Sequence, residues 1–506
     1  MVAVVRRVIL TSALTVVLAA CESNPAPAPR DVPVVDVVDA GGDVAAGDVG
    51  TFDGTTALDA APDVPVDRPI APDVTRTMTE AQMAERRRAC AFTAGSFPVE
   101  TMGQEVPLDG RIPVDHVLVV MMENRSFDHY FSQLRARGVT DVDVPAEDWS
   151  NPRADGTPVR RYHETQFCVR DTNHEWNGSF AQWNNGRNDG FVTTNDPNGE
   201  RAMGYFDESD IPFYYGLARN FALGDRYFSS VMGPTWPNRF YMLAATSFGR
   251  TTNTPYDETA ERPGMHIFRL LESAGLDWRD YAGDLRVTAI FPWFGIVRRQ
   301  TRDHYRSHDD LMSDLRAGTL PPFSFIEPHY AGDGGAREDE HPPGTPAAGE
   351  RFVEGIVRAL MASPAWSRSA LFITYDEHGG FADHVSPPDA CPPDGLTAVD
   401  ASGVARARGS FGRYGFRVPF LVVSPYARRG YVSHTVYDHA SILRFVEARF
   451  GLPAMTARDA NANAPMDMFD FVGAPNRTPP TLPTGGYNPA VQDRCRMMFP
   501  SATGGD

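Results

Sequence analysis

The stretch VLVVMMENRSFDHYF, Val117 to Phe131, decides the fold of this chain. Val117–Met122 is continuously apolar and β-branched at its start, which suits a strand covered on both faces of a parallel sheet. The run stops abruptly at Glu123 and Asn124. Open α/β sheets collect their chemistry at the carboxyl ends of such strands, so a carboxylate and an amide placed there suit a cation. Asn124 also reads as the N-cap of a helix over RSFDHYFSQL, since an Asn side chain can accept a free N–H of the first turn.

A second apolar strand, Leu371 to Tyr375, ends in Asp376 and Glu377 within ALFITYDEHGGFADHVSPP, and Gly379 and Gly380 then permit a sharp turn. VMGPTWPNRF, Val231 to Phe240, sets Thr235 between Pro234 and Trp236 with Pro237 close behind. Two prolines of fixed φ predict a rigid elbow exposing one hydroxyl. Two strand ends bearing oxygen ligands and one mounted hydroxyl are the parts of a metal-assisted nucleophile. Helices are expected over IPFYYGLARNFA, HIFRLLESAG, SHDDLMSDLRAG, GERFVEGIVRALMA and DHASILRFVEARFG, with a further strand in RVPFLVVSP. Strands alternating with helices in this way predict a mostly parallel sheet. Asp141 to Asn198 is polar and aperiodic, and long irregular stretches in compact enzymes are usually functional.

Several segments, in order, resemble those of the bacterial phosphoesterase family that contains phospholipases C and an acid phosphatase. They are ENRSFDHYF, HEWNGSFAQWNNGRNDGF, DIPFYYGLARNFALGDRYFSSVMGPTWPNRFYM, EDEHPPGTPAAGERFV, YDEHGGFADHVSPP and YGFRVPFLVVSPYARRGYVSHTVYDHASILRFVEARFGL, spanning roughly Asp115 to Leu452. The resemblance implies an alkaline-phosphatase-like α/β/α sandwich with a mostly parallel central sheet. It implies that Thr235 is the nucleophile, that Glu123, Asn124, Asp376 and Glu377 hold one or more divalent metal ions, and that the imidazoles of His174 and His341 face the phosphoryl group. The acid phosphatase branch carries further histidines in the middle of its chain, and the region around LDWRDYAGD has none. That difference, with threonine in place of serine, favours cleavage of phosphodiesters such as phospholipids over a phosphomonoesterase using the same site. A third reading, a surface-binding lipoprotein with a decayed site, is opposed by the intact set of five residues.

The chain has 506 residues and a formal net charge of −18. Residues 1–20 read as a lipoprotein signal peptide, with Arg6 and Arg7 before VILTSALTVVLAA. LAAC ends it, and Cys21 is expected to be lipidated; the plainer reading is an ordinary cleavage site with a chance cysteine. From Cys21 to about residue 75 the chain is acidic and nearly free of aromatics, with eleven acids from Glu22 onward against Arg30 and Arg68. Such a segment buries too little apolar surface to offset the cost of ordering it, and it is expected to be a disordered tether. Residues 76–506 are expected to form a single catalytic domain. The protein is thus expected to be exported and lipid-anchored in the bacterial cell envelope, or released from it, with a phosphoester substrate and no nucleic-acid partner.

Cys90, Cys168, Cys391 and Cys495 remain once Cys21 is set aside, which fits two disulfides in an exported protein. The pairing expected is Cys90 with Cys495 and Cys168 with Cys391. Without CxxC spacing no thiolate zinc site is expected. Oxygen and amide ligands do not choose among Mg, Ca, Mn, Fe and Zn. Asn238 and Arg239 follow Thr235, and Arg239 reads either as a partner of a phosphate oxygen or as an anchor to a carboxylate. His384 reads as an orienting group beside the metal pair, Asp383 as a carboxylate behind it, and His378 as solvent-facing. His439 reads as a helix-start residue beside a capping Asp438. Trp176, Trp183, Tyr214 and Tyr215 lie in the pocket segments, and two or three of them are candidates to cage a quaternary ammonium.

Overall fold

Every side chain from Val117 to Met122 is fully buried, because the strand they form lies at the centre of an eight-stranded sheet. A computed structural model describes residues 69–254, 265–284, 286, 288, 303–330 and 337–499. The signal segment, Cys21 and the tether up to residue 68 lie outside the described residues.

In chain order the sheet strands are β1 (His116–Met122), β2 (Ala222–Gly224), β3 (Trp278–Ala282), β4 (Tyr305–Arg306), β5 (Phe323–Glu327), β6 (Ser369–Tyr375), β7 (Phe420–Val423) and β8 (Tyr431–Ser433). Their spatial order is β8-β2-β7-β6-β1-β5-β3-β4. All neighbours run parallel except β7, which is antiparallel to both β6 and β2. The expectation of a mostly parallel sheet is met.

The principal helices are α1 (Trp176–Trp183), α2 (Pro212–Asn220), α3 (Thr235–Ala244), α4 (His308–Ala317), α5 (Pro346–Ala362) and α6 (His439–Phe450). They fall into two groups: α5 packs on α2 and α4, whereas α6 packs on α3. Alternation along β6 assigns the groups to opposite faces. Phe372 meets Phe445 of α6 at 5.2 Å, while Tyr375, of opposite parity, meets Tyr130, which in turn lies 6.0 Å from Tyr214 of α2. The result is the α/β/α sandwich.

Two local readings are corrected. The helix after β1 spans Phe127–Phe131 and is capped by Ser126, whose hydroxyl accepts the His129 N–H; Asn124 is not the cap. The disulfides join Cys90 to Cys391 and Cys168 to Cys495, so the expected pairing is wrong in both bonds. The helix at Glu80–Arg88 docks beside the 388–391 segment, with which it lines a common cavity. The last helix, Pro489–Met498, docks instead against the start of α5, where Gln492 donates to Thr345. The two chain ends are therefore tied to different parts of the domain.

Candidate active site

Register builds the site. Met122 pairs with Tyr375 across β1 and β6, so the next residues, Glu123 and Asp376, emerge side by side. On the other flank Val120 pairs with Ile326, which brings Glu327 to the same carboxyl edge. Asn124 follows in the left-handed region, φ 61°, a conformation Asn tolerates better than most residues. Its N–H donates to Asp376 Oδ1 at 3.2 Å, and the Glu377 N–H donates to the same oxygen at 2.7 Å. Gly379, at φ 63°, is required here: a Cβ would stand 2.1 Å from the Asn124 carbonyl oxygen. The glycine turn thus lets the ends of β1 and β6 close on each other.

Thr235 is the first residue of α3. The expected elbow is a helix start: Pro234 precedes the first turn and Pro237 sits inside it, where a missing N–H costs little. Arg239 lies one turn further on, and residues four apart share a helix face. Its guanidinium is fully buried and donates to Asp376 Oδ2 at 3.1 Å and to Glu123 Oε1 at 3.2 Å. These are the contacts of a carboxylate anchor, and Nη1 is left buried without a hydrogen-bond partner among the described residues. By gripping both strand ends Arg239 also fixes where the start of α3, and so Thr235, must lie.

Asn238 has a structural part in this. Its amide oxygen accepts the Val231 N–H at 3.0 Å, and its nitrogen donates to the carbonyls of Gly233 and Pro234 at 2.9 and 3.2 Å. Its amide is thus spent on the loop before Thr235, where it acts behind the hydroxyl.

His174 and His341 converge as expected, with ring centroids 5.7 Å apart and edge-on. Nδ1 of each bonds a backbone carbonyl at 2.7 Å, Thr172 for one and Pro342 for the other. This fixes both rings and leaves Nε2 as the working atom. Nε2 of His174 lies 3.3 Å from the Asn124 amide nitrogen. Burial opposes charge on His174, but Glu377 and Asp171 overcome it and push its pKa up to about 10. His341 is held well below the usual range by burial and by the cations Arg337 and His174. The loop bearing His341 is held by Arg125, which donates to the carbonyls of Glu340 and Gly344. It is held again by the buried Glu340 carboxylate, which accepts hydroxyls from Tyr130, Tyr214 and Tyr375.

Other expected site residues lie elsewhere. Asp383 accepts from Arg417 Nε at 2.9 Å, and His384 Nδ1 meets Asp128 Oδ2 at 2.7 Å. These four form a separate charged cluster, and neither Asp383 nor His384 bonds Asp376 or Glu377. His378 is buried, not solvent-facing: Nε2 is 2.8 Å from Gln182 Oε1 and Nδ1 is 3.4 Å from Glu377 Oε2. The aromatic cage is not formed as expected. Tyr214 and Tyr215 spend their hydroxyls on Glu340 and the Tyr130 carbonyl, and Trp183 is covered by the Arg413 guanidinium at 4.5 Å.

His439 is the residue that sequence reasoning undervalued. At the start of α6, its Nε2 bonds the Asp376 carbonyl at 2.7 Å while Nδ1 meets the Tyr227 hydroxyl at 3.0 Å. A histidine opening a helix is unremarkable in sequence, and nothing local reveals its partner 63 residues away.

Whether the residues fit a cation is answered by their unpaired atoms. Asn124 Oδ1, Glu377 Oε1 and the Thr235 hydroxyl are buried with no hydrogen-bond partner among the described residues. Each such atom costs about 1–3 kcal/mol, so three among the residues that the motifs single out require an explanation. Burial also drives the pKa values of Glu123, Asp376 and Glu377 upward, and a bound cation would restore their ionised forms. All of the free donors are oxygens, the ligand type of a hard divalent ion. The chemistry of the set fits such an ion, with Glu123 and Asp376 already engaged by Arg239; ligand atoms within 4.8 Å of one another are offered by the neighbouring Asp171, His174 and His341.

With this geometry in hand, a model of the Phosphoesterase family matches residues 114–453. Phospholipase C B of Mycobacterium tuberculosis is 32% identical over 457 residues, covering 78% of this chain and 86% of the relative. Hemolytic phospholipase C of Pseudomonas aeruginosa is 33% identical over 454 residues, covering 76% of this chain and 60% of the relative. Among solved structures, a protein in the alkaline phosphatase superfamily from Vibrio parahaemolyticus shares 9% identity at a TM-score of 0.35, over 76% of this chain and 78% of that one, a likeness too slight to argue from. The matched span, the two strand ends and the order of the motifs agree: the chain belongs to the phosphoesterase family and is a phosphoric ester hydrolase.

Proposed function

We propose that the protein is a phospholipase C-type phosphodiesterase that works through a phosphothreonine on Thr235. The observation carrying this reading is the buried, unpaired Thr235 hydroxyl at the start of the helix whose Arg239 bonds both Asp376 and Glu123. Glu123, Asn124, Asp376 and Glu377 would hold one or more divalent ions. When bound, the ion lowers the hydroxyl pKa and offsets charge on the phosphoryl oxygens.

Arg239 keeps the two carboxylate-bearing strand ends and the start of α3 in fixed relation, which is the positioning that phosphoryl transfer chiefly needs. The positive end of the α3 dipole favours the developing threonine alkoxide. Thr235 Oγ attacks phosphorus in line, and the bond from phosphorus to the diacylglycerol oxygen breaks. That oxygen takes its proton from Nε2 of His174, the imidazole that Glu377 and Asp171 keep protonated, while His341, neutral with Nδ1 on the Pro342 carbonyl, offers Nε2 only as an acceptor. Water then attacks phosphorus and gives a proton to the same imidazole. The bond from phosphorus to Thr235 Oγ breaks and frees the phosphorylated head group, and Oγ recovers from solvent the proton it lost before attack.

A panel of aryl phosphate, bis(aryl) phosphate and phosphatidylcholine tests the reading. Turnover of the two diesters with little of the monoester is expected, and preference for the monoester would favour an acid phosphatase. The two disulfides suit an oxidising compartment, and we place the protein in the cell envelope on a lipidated Cys21. In detergent partitioning, Cys21→Ser should move the protein from the membrane to the soluble fraction; unchanged retention would refute the anchor.

A further inference from the structure

A hairpin braced by Thr251 and Trp176, on the segments next to Thr235 and His174, carries exposed apolar side chains that a lipid surface would receive. Val399 and Ala405 pair antiparallel, and the Asp400 carboxylate caps the turn by accepting the N–H groups of Ser402 and Val404 at 2.9 and 3.0 Å. At the tip Val404 is 61% exposed, and Leu396, ahead of the hairpin's first strand, is 52% exposed. A rigid, capped turn that holds valine in water is more than a frayed loop.

Its bracing ties it to both halves of the site. Thr251 donates to the Val399 carbonyl at 2.7 Å and accepts from Arg406 Nε at 2.7 Å. Two residues on, Asn253 accepts the N–H of Trp236, the neighbour of Thr235. From the other side Trp176, two residues after His174, donates its indole N–H to the Arg408 carbonyl at 2.8 Å. The hairpin thus leans on the Thr235 segment and on α1 together.

Charge points the same way. Residues 401–413 contain Arg406, Arg408 and Arg413 and no acid, in a chain of net charge −18. The acids around them are spent: Asp389 pairs with Arg413, Asp394 accepts from Thr246 and the Leu396 N–H, and Asp400 caps the turn. Arg408 is held through its backbone carbonyl, which accepts the Trp176 indole N–H. It lines a cleft of about 340 Å³ with Trp183, Asn185 and Arg413, where an indole and a cation suit the head-group level of a bilayer.

Resting on the phospholipid reading above, we propose that Leu396, Val404 and Arg408 form the surface by which this enzyme docks on a phospholipid bilayer. The apolar pair enters the interface and Arg408 meets head-group phosphate, which brings the segments next to Thr235 and His174 to the lipid.

The test uses the full chain as Cys21→Ser, so that no acyl anchor masks docking, and compares it with the same chain carrying Leu396→Asp, Val404→Asp and Arg408→Glu. Vesicles of phosphatidylcholine with phosphatidylglycerol are sedimented with protein, and turnover is measured on vesicle lipid and on soluble bis(p-nitrophenyl) phosphate. The variant should lose at least about tenfold in vesicle partition and in vesicle-lipid turnover, with soluble-diester kcat/KM within about twofold. Unchanged partition would overturn the proposal, whether the surface is idle or serves a protein partner. A parallel loss on the soluble diester would overturn it too, by showing that the hairpin belongs to the catalytic structure. Failure of the phospholipase reading itself is distinct: the parent chain would sediment with vesicles and cleave the soluble diester, yet leave vesicle lipid intact.

Discussion

Two buried charge clusters lie within a few residues of each other in sequence, and they are built differently. In one, Asp128, Asp383, His384 and Arg417 satisfy each other, and no polar atom of the four is buried without a partner. In the other, around the Glu123 and Asp376 carboxylates gripped by Arg239, Asn124, Thr235 and Glu377 each keep one unpaired atom. Burial alone does not distinguish them, for both exclude water. What differs is unspent bonding capacity. A closed cluster stabilises and orients the fold, whereas an open one is poised for something the chain does not itself supply.

Substitution should separate the two sharply. Thr235→Ala should lower kcat on a phosphodiester by at least about 10⁴-fold, while Thr235→Ser keeps measurable activity and both hold metal as the parent does. Glu377→Gln should reduce divalent-metal affinity by more than about 100-fold, together with activity, read by calorimetric titration. Asp383→Asn should leave that affinity within about threefold; a loss matching Glu377→Gln would merge the two clusters into one site.

The reverse holds for stability. Arg417→Met strands the buried Asp383 without its cation and leaves Asp128 with His384 alone, and breaking a buried pair in this way costs about 3–5 kcal/mol. Its thermal midpoint should fall markedly while metal titration of the folded enzyme is kept. A variant as stable as the parent would mean that this cluster is not the lock described.

A smaller effect is expected from pH. Burial opposes charge on His384, but Asp128 and then Asp143 push its pKa up to about 9 from an ordinary 6.5. A folded-state pKa raised above the unfolded one contributes stability that is full below about pH 6.5 and is lost as pH rises through about 9. The contribution is on the order of 2–3 kcal/mol. Because Asp383 and Arg417 titrate or act within the same cluster, the His384 part is read as a difference. Melting curves at pH 6 and pH 9.5 should show a larger drop for the parent than for His384→Gln, and equal drops would count against it.

Much of the open cluster was legible in sequence because it sits at strand ends. Val117–Met122 and Leu371–Tyr375 announce themselves as buried strands, and polar residues directly after such runs have to lie at the sheet edge. Thr235 was legible through its proline-flanked motif, although the mount is a helix start. The remainder depends on contacts between distant segments. Arg239 reaches Asp376 across 137 residues, and no local pattern shows whether an arginine will meet a phosphate or a carboxylate. His384 lies eight residues from Asp376 yet turns to Asp128, because the Gly379–Gly380 turn carries the chain away from the metal pair. Disulfide pairing was illegible for a similar reason: spacing does not say which loops the terminal helices dock against.

The central claim is that Thr235 carries the phosphoryl group between the two half-reactions. Enzyme mixed with excess phosphodiester, quenched in acid during turnover, digested and examined by mass spectrometry tests it directly. The account predicts a phosphate on the peptide containing Thr235, absent without substrate and absent in Thr235→Ala. An alanine variant that turns over the diester at an undiminished rate, with no phosphopeptide in the parent enzyme, would contradict it and leave direct attack by water as the mechanism.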